Sequence, residues 1–264
     1  MSGIGSAEAP AVVVIVPRRL ALVAESIACW RLDVEQPAEV VATLAGVLSP
    51  DEQERAARFV FGPDRRRFIV TRACLRALLG GCCGVPPRAI RFAYARHGKP
   101  SLASGSTGAP VHFSVSYSQD LAVIALAPDA PLGVDVEAIR RMPDLLDIAS
   151  RHFTAGEADT IASVPLDERD LAFFLCWTRK EAFSKALGDG LSLALDRYRV
   201  ACRPGDPARI LEIDGDATTA AAWSVFDLRP APAFVGAAVM RAGPRPVTLV
   251  HLDVDRDVLP WLDG

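Results

Sequence analysis

Gly133-Val134-Asp135-Val136-Glu137 interleaves two acids with two valines. On a strand, side chains at i and i+2 share a face, so Asp135 and Glu137 project together while Val134 and Val136 project the other way. Two like charges side by side repel unless a cation lies between them, and carboxylate oxygens are hard ligands suited to Mg²⁺. By itself such a pentapeptide more often marks a solvated strand face. A second segment, Trp177-Thr178-Arg179-Lys180-Glu181-Ala182-Phe183-Ser184-Lys185, changes that balance. On a helix, Trp177, Glu181 and Lys185 stand at i, i+4 and i+8 along one face. A surface Glu181–Lys185 pair contributes only about 0.3–0.5 kcal/mol. Yet of 29 basic residues only three are lysines, Lys99, Lys180 and Lys185, and this segment holds two of them. Lysine's compact ammonium differs from arginine's planar fork, so the survivors in an arginine-biased chain are worth following. With Asp135 and Glu137, Glu181 would complete a three-carboxylate magnesium site. Mg²⁺ keeps waters and binds substrate phosphates besides a few carboxylates, which points to a pyrophosphate or phosphate-ester substrate.

Two weaker segments accompany these. His97-Gly98-Lys99-Pro100 shapes a rigid turn that presents Lys99; alone it reads as a surface turn. Phe113-Ser114-Val115-Ser116-Tyr117-Ser118 offers hydroxyls suited to phosphate at a strand end; alone it reads as an edge strand.

These segments need a scaffold that brings strand, helix and turn together, and the chain supplies its parts twice. Ser49-Pro50-Asp51-Glu52 is a helix start, with Ser at the N-cap, Pro next and Glu three on. The spacing predicts a helix over 64–79 that Gly80-Gly81 ends. Thr154-Ala155-Gly156-Glu157 repeats the capping box, and a second long helix is predicted over 168–187, ending at Gly188. Strands are expected at 27–34, 89–95, 132–137, 197–202, 209–213, 222–228 and 234–240, and 111–117 with 121–127 reads as a hairpin. Residues 1–10 read as a disordered start, and 128–131 (PDAP) as a linker. The stretch 246–264 is expected to pack over a lobe edge. The repeat predicts two α+β lobes facing each other, 11–130 and 131–264, the second carrying the metal site. A cleft between lobes is a common place for a ligand.

Composition removes several classes. Net charge is −3, against the basic excess a general nucleic-acid coat needs. No apolar run reaches the ~18–20 residues of a membrane span. Basic residues follow rather than precede the apolar stretch Ala11–Val16, so the order of a signal peptide is missing. Six cysteines without a C-x-x-C read as reduced thiols of a cytoplasmic protein. No Walker-type glycine loop is present, which ranks an unrelated magnesium-dependent phosphotransferase last.

In this order HGKP, FSVSYS, GVDVE and WTRKEAFSK resemble the signature segments of the Sfp-type 4′-phosphopantetheinyl transferases: a GKP turn, an F-N-x-S-H-S-like strand, a G-[IV]-D-[IV]-E strand and a W-x-x-K-E-x-x-x-K helix. The resemblance spans roughly residues 27–240, with SPDEQERAARF at 49–59 similar to the family's first helix. It implies an α+β fold of two similar lobes in pseudo-twofold arrangement. It implies transfer of the phosphopantetheine arm of coenzyme A to a serine of an apo acyl or peptidyl carrier protein, with release of adenosine 3′,5′-bisphosphate.

By matching position, Asp135, Glu137 and Glu181 would hold Mg²⁺. Asp135, Glu181 and Lys185 would form the catalytic set. Glu181 is the candidate base, directly or through water, and Lys185 would stabilise the leaving phosphate. Lys180 would contact the pyrophosphate, Lys99 and Pro100 would border the adenine nucleotide, and Arg55 and Arg67 would hold its 3′-phosphate, with Ser116 and Tyr117 completing the contacts. Arg65, Arg72 and Arg76 read as helix-surface charges. Tyr117 stands where the family has His, and Ser114 where it has Asn. A neutral hydroxyl in place of a charge-assisted bond weakens the contact by about 1 kcal/mol, several-fold in affinity. These two departures are the sequence support for the alternative, a non-catalytic coenzyme A-binding partner subunit of a synthase. The segment 138–153, with Arg140, Arg141 and Arg151 beside Met142, Leu145 and Leu146, is a candidate carrier-docking helix and equally an ordinary amphipathic one. Two lobes in one chain imply a working monomer.

Overall fold

The structure is a computed structural model describing residues 14–16, 19–24, 26–94, 98–103, 110–128, 130–188, 194–241 and 246–262. The expected disordered start at 1–10 and His97 lie outside the described residues. In chain order the elements are β1 (Val14–Val16), β2 (Arg19–Ala21), β3 (Ile27–Asp33), α1 (Ala38–Ala45), α2 (Pro50–Ala57), α3 (Gly62–Cys83), β4 (Phe92–Tyr94), β5 (Pro100–Leu102), β6 (His112–Ser118), β7 (Leu121–Ala127) and β8 (Leu132–Ala138). Then come α4 (Leu145–His152), α5 (Ala155–Ser163), α6 (Arg169–Leu187), β9 (Tyr198–Val200), β10 (Ile210–Ile213), α7 (Ala217–Ala220), β11 (Ser224–Leu228), β12 (Phe234–Met240), β13 (Val247–His251) and α8 (Leu259–Leu262).

The expected repeat is present as topology. In the first half β3 pairs antiparallel with β7, and β7 with β6; in the second β8 pairs antiparallel with β12, and β12 with β11. Between first strand and hairpin each half carries a short helix, a capping-box helix and a long helix. Both capping boxes form, at Ser49/Glu52 and Thr154/Glu157. In each lobe the capping glutamate also meets a buried cation on the long helix. Glu52 Oε2 accepts from Arg76 Nε at 2.7 Å, and Glu157 Oε2 lies 2.8 Å from Lys180 Nζ.

Alternation along the strands sorts side chains into three cores. Ala122, Ile124 and Leu126 of β7 join Trp30, Leu32 and the buried side of α3. Val235, Ala237 and Val239 of β12 join Phe173, Phe174 and Phe183 of α6. The opposite faces, with Ile27, Cys29, Val123, Ala125, Val134, Val136, Ala238 and Met240, meet one another and weld the two sheets. Burial on both faces explains why β7 reads LAVIALA with no polar alternation.

Four expectations need correction. The long helix α3 runs through Gly80-Gly81 and stops at Gly84, whose φ of 68° suits glycine. Gly80 and Gly81 instead let Val85–Pro87 and the Trp261 ring approach the helix. Helix α4 begins only at Leu145, because β8 continues to Ala138 and Pro143 interrupts the segment between them. The stretch after residue 245 packs over a lobe edge as expected, but the edge belongs to the first lobe: β13 pairs in parallel with β3, and Trp261 packs on Gly81. Finally, Arg76 is fully buried and Arg72 nearly so, rather than surface charges; the Arg76 guanidinium also donates to the carbonyls of Pro87 and Ile90 at 3.0 Å.

Candidate active site

Strand β8 lies under α6, and Gly133 is the point of closest approach. A Cβ there would sit 1.9 Å from the Ala182 carbonyl oxygen and 2.5 Å from the Ala186 nitrogen. Glycine thus lets the helix settle on the strand. Asp135 and Glu137 then share a β8 face with Glu181 and Lys185, one turn apart on α6.

The contacts are specific. Lys185 Nζ donates to Asp135 Oδ1 at 2.7 Å, to the Val134 carbonyl at 3.1 Å and to Ser116 Oγ at 3.0 Å. Ser116 Oγ in turn donates to Asp135 Oδ1 at 2.7 Å. Ser118 Oγ donates to Glu137 Oε2 at 2.7 Å, and Arg140 reaches the same oxygen at 3.4 Å. Two carboxylate oxygens, Asp135 Oδ2 and Glu181 Oε1, are buried with no hydrogen-bond partner among the described residues. Burial, then the charges of Asp135 and Glu137, push the Glu181 carboxyl above the usual glutamate range, with Lys185 opposing. Orphaned buried acceptors are costly, so this cluster is short of positive charge or donors. Among the described residues no three His, Cys, Asp or Glu side chains converge as a ready-made ligand cage. Lys185, on Asp135, supplies the nearest cation.

Beside this cluster lies a cavity of about 250 Å³ lined by Gly98, Lys99, Pro100, Phe113, Val115 and Lys185. Lys99 donates to the carbonyls of Leu132, at 3.3 Å, and Lys185, which ties the turn to the start of β8 and the end of α6. Burial, with Lys185 nearby, holds the Lys99 ammonium below the usual lysine range. Ser116 joins the cluster as a buried partner of Asp135 and Lys185. Tyr117, next along β6, points outward and lies under the Arg67 guanidinium, 5.2 Å from ring centroid to Cζ. Arg67 also donates to the Gln119 carbonyl at 2.9 Å and to Asp64 at 3.0 Å. Arg55 is exposed on α2, over the Phe68 ring at 5.2 Å.

Lys180 does not join them. Its ammonium is 0% exposed and donates to the carbonyls of Leu195, at 2.7 Å, and Tyr198, at 2.5 Å, besides its ion pair with Glu157. The expected contact with a substrate pyrophosphate is corrected by position: one residue from Glu181 is about 100° around the helix, into the second core. Sequence reasoning missed the structural share of the β6 serines. Its signal was the i, i+2 spacing of Ser116 and Ser118, which equals that of Asp135 and Glu137.

Residues 131–238 match the model of the 4′-phosphopantetheinyl transferase superfamily, and residues 35–129 that of the 4′-phosphopantetheinyl transferase N-terminal region. The chain is 38% identical over 214 residues to the 4′-phosphopantetheinyl transferase HetI of Nostoc sp., covering 81% of this chain and 87% of that protein. It is 32% identical over 187 residues to the 4′-phosphopantetheinyl transferase psf-1 of Bacillus pumilus, covering 71% and 74%. It is also 32% identical over 165 residues to the human L-aminoadipate-semialdehyde dehydrogenase-phosphopantetheinyl transferase, covering 60% of this chain and 53% of that one.

Proposed function

The chain belongs to the 4′-phosphopantetheinyl transferase family, and from that premise we infer that the seam between β6, β8 and α6 is where its reaction takes place. The protein is a transferase that moves the phosphopantetheine arm of coenzyme A to a carrier protein. The observation that carries the site assignment is the pair of buried, unpartnered oxygens on Asp135 and Glu181, beside Lys185 and the Lys99–Pro100 cavity.

The donor set suits a divalent cation. Mg²⁺ takes one or two protein carboxylates and fills its remaining positions with water and substrate phosphate, so a full protein cage is not needed. Asp135, Glu137 and Glu181 would hold it, and when bound it neutralises charge that develops on the pyrophosphate. The chain's own groups do the rest. Lys99 and Pro100 border the nucleotide, with Arg55, Arg67, Ser116 and Tyr117 as further contacts. The carrier serine oxygen bonds to the phosphorus next to the pantetheine arm. The bond from that phosphorus to the bridging oxygen breaks, and adenosine 3′,5′-bisphosphate leaves. The serine proton passes to the Glu181 carboxylate, directly or through water, and Lys185 steadies the departing phosphate.

The carrier approaches along β8 and α4. A groove of about 500 Å³ there is lined by Met142, Leu145, Leu146 and Leu166, with Arg141 and Arg169 balanced by Asp167 and Asp170, which suits a helix with apolar side chains and charges of both signs. Arg140 and Arg151 of the expected docking set fall outside that lining. We take the working unit to be a monomer of two lobes, and its compartment to be the cytoplasm, where six free cysteines would stay reduced. Among the described residues no helix is long and apolar enough to cross a membrane.

Intact-protein mass spectrometry tests the reading. An apo acyl or peptidyl carrier protein incubated with this protein, coenzyme A and Mg²⁺ gains one phosphopantetheine arm, and gains nothing when EDTA is added. Undiminished transfer in EDTA would remove the metal from the reading. Undiminished transfer by folded Asp135→Ala would remove the site.

A further inference from the structure

The carboxylates of the second lobe are held by hydroxyls of the first. Ser114, Ser116 and Ser118 alternate along β6 and face β8. Ser114 Oγ accepts from the Val134 N–H at 3.0 Å. Ser116 Oγ accepts from Lys185 and donates to Asp135 Oδ1. Ser118 Oγ accepts from the Ala138 N–H at 3.1 Å and donates to Glu137 Oε2 at 2.7 Å. All three are buried. A hydroxyl has one proton. With an acceptor lobe already engaged, the proton of Ser116 is aimed at Asp135 and that of Ser118 at Glu137. Each carboxylate therefore has one oxygen fixed in the seam. Asp135 keeps Oδ2 without a partner among the described residues, and Ser118 and Arg140 both engage Glu137 through Oε2 rather than Oε1.

We propose that Ser116 and Ser118 are positioning residues that set the rotamers of Asp135 and Glu137 across the lobe seam, so that each presents its other oxygen to a divalent cation. The inference rests on the metal reading above. It makes the cation site a joint product of both lobes, although all three carboxylates belong to one. Partners that orient a ligating group commonly change metal affinity about 10–100-fold when removed.

The test is Mn²⁺ binding to the full chain by electron paramagnetic resonance, with and without coenzyme A, alongside circular dichroism. Wild type binds Mn²⁺. Ser118→Ala binds it at least about 10-fold more weakly, and Ser118→Thr, which keeps the hydroxyl, recovers most of the loss. Ser116→Ala shifts in the same direction, so either alanine variant decides the matter if the other does not fold. Ser114→Ala also loses a seam bond but touches no carboxylate, and it keeps wild-type Mn²⁺ affinity. Wild-type affinity in folded Ser118→Ala overturns the proposal. So does an equal loss in Ser114→Ala, which would mean general loosening of the seam. If wild type binds no Mn²⁺ under either condition, the metal reading itself falls and this inference falls with it.

Discussion

Two lysines five residues apart on one helix have opposite fates. Lys185 stands at the edge of the cluster with Asp135, while Lys180 is sealed against Glu157 and two carbonyls. Removing one partner of a buried ion pair leaves the other charged and dry, at about 3–5 kcal/mol. Lys180→Met is therefore expected to lose roughly that much stability in urea unfolding, and Glu157→Gln in the same chain to return part of it. Lys185→Ala loses transfer with a much smaller change in midpoint. Glu181 gives a pH signature. Its carboxyl titrates above the ordinary glutamate range in the folded state, so the folded chain holds that proton more tightly than the unfolded one. The contribution is intact below the unfolded value and is lost as pH rises through the folded one. Thermal midpoints of metal-free Glu181→Gln are expected to exceed wild type by more at pH 8 than at pH 5, while transfer falls about 100-fold or more. An equal offset at both pH values would contradict burial and the neighbouring carboxylates as the cause of the raised Glu181 carboxyl. The sequence marked the residues Asp135, Glu137, Glu181 and Lys185, because type and spacing are local. Spacing put Lys185 on the Glu181 face and left Lys180 off it, but it did not show that Lys180 is sealed in the core, because which side of α6 faces the core is decided by the strands beneath it.

Among the elements, β8 and α6 make one unit, and Gly133 is its hinge of fit. Gly133→Ala forces a methyl into the α6 backbone; overpacking of this kind costs about 1–3 kcal/mol or more and shifts the helix that carries Glu181. Both the unfolding midpoint and transfer are expected to fall. Gly84→Ala is the control. Its cost is the left-handed backbone alone, about 1–2 kcal/mol, with nothing within 4 Å of the added carbon, and transfer by the folded fraction is unchanged. Loss of transfer in both variants would mean that stability, not the β8–α6 fit, limits the reaction. Much at this scale was legible. The capping boxes, the β6–β7 hairpin, β8 and the end of α6 at Gly188 carry local signals, and the structure has them. The end of α3 was misplaced because Gly80-Gly81 serves close packing, and nothing local distinguishes a packing glycine from a terminating one.

For the whole molecule, the two lobes share topology, a welded core and a seam, and the last strand crosses back. The doubling of the α+β pattern was legible from the repeat, but the return of β13 to β3 was not, since pairing between distant strands leaves no periodicity in either. Trp261 is the anchor of that return, nearly buried on Gly81. Trp261→Ala is expected to cost about 3–5 kcal/mol in chemical unfolding, with transfer by the remaining folded protein unaltered; a midpoint equal to wild type would show that the tail merely rests on the first lobe. The parallel pairing of β13 with β3 also sets an order of events during synthesis. A ribosome makes β3 first and β13 only after every other strand of both sheets. Until then the edge of β3 opposite β7 has no strand on it, and the notch at Gly81 has no ring in it. The lobe that begins first is completed last.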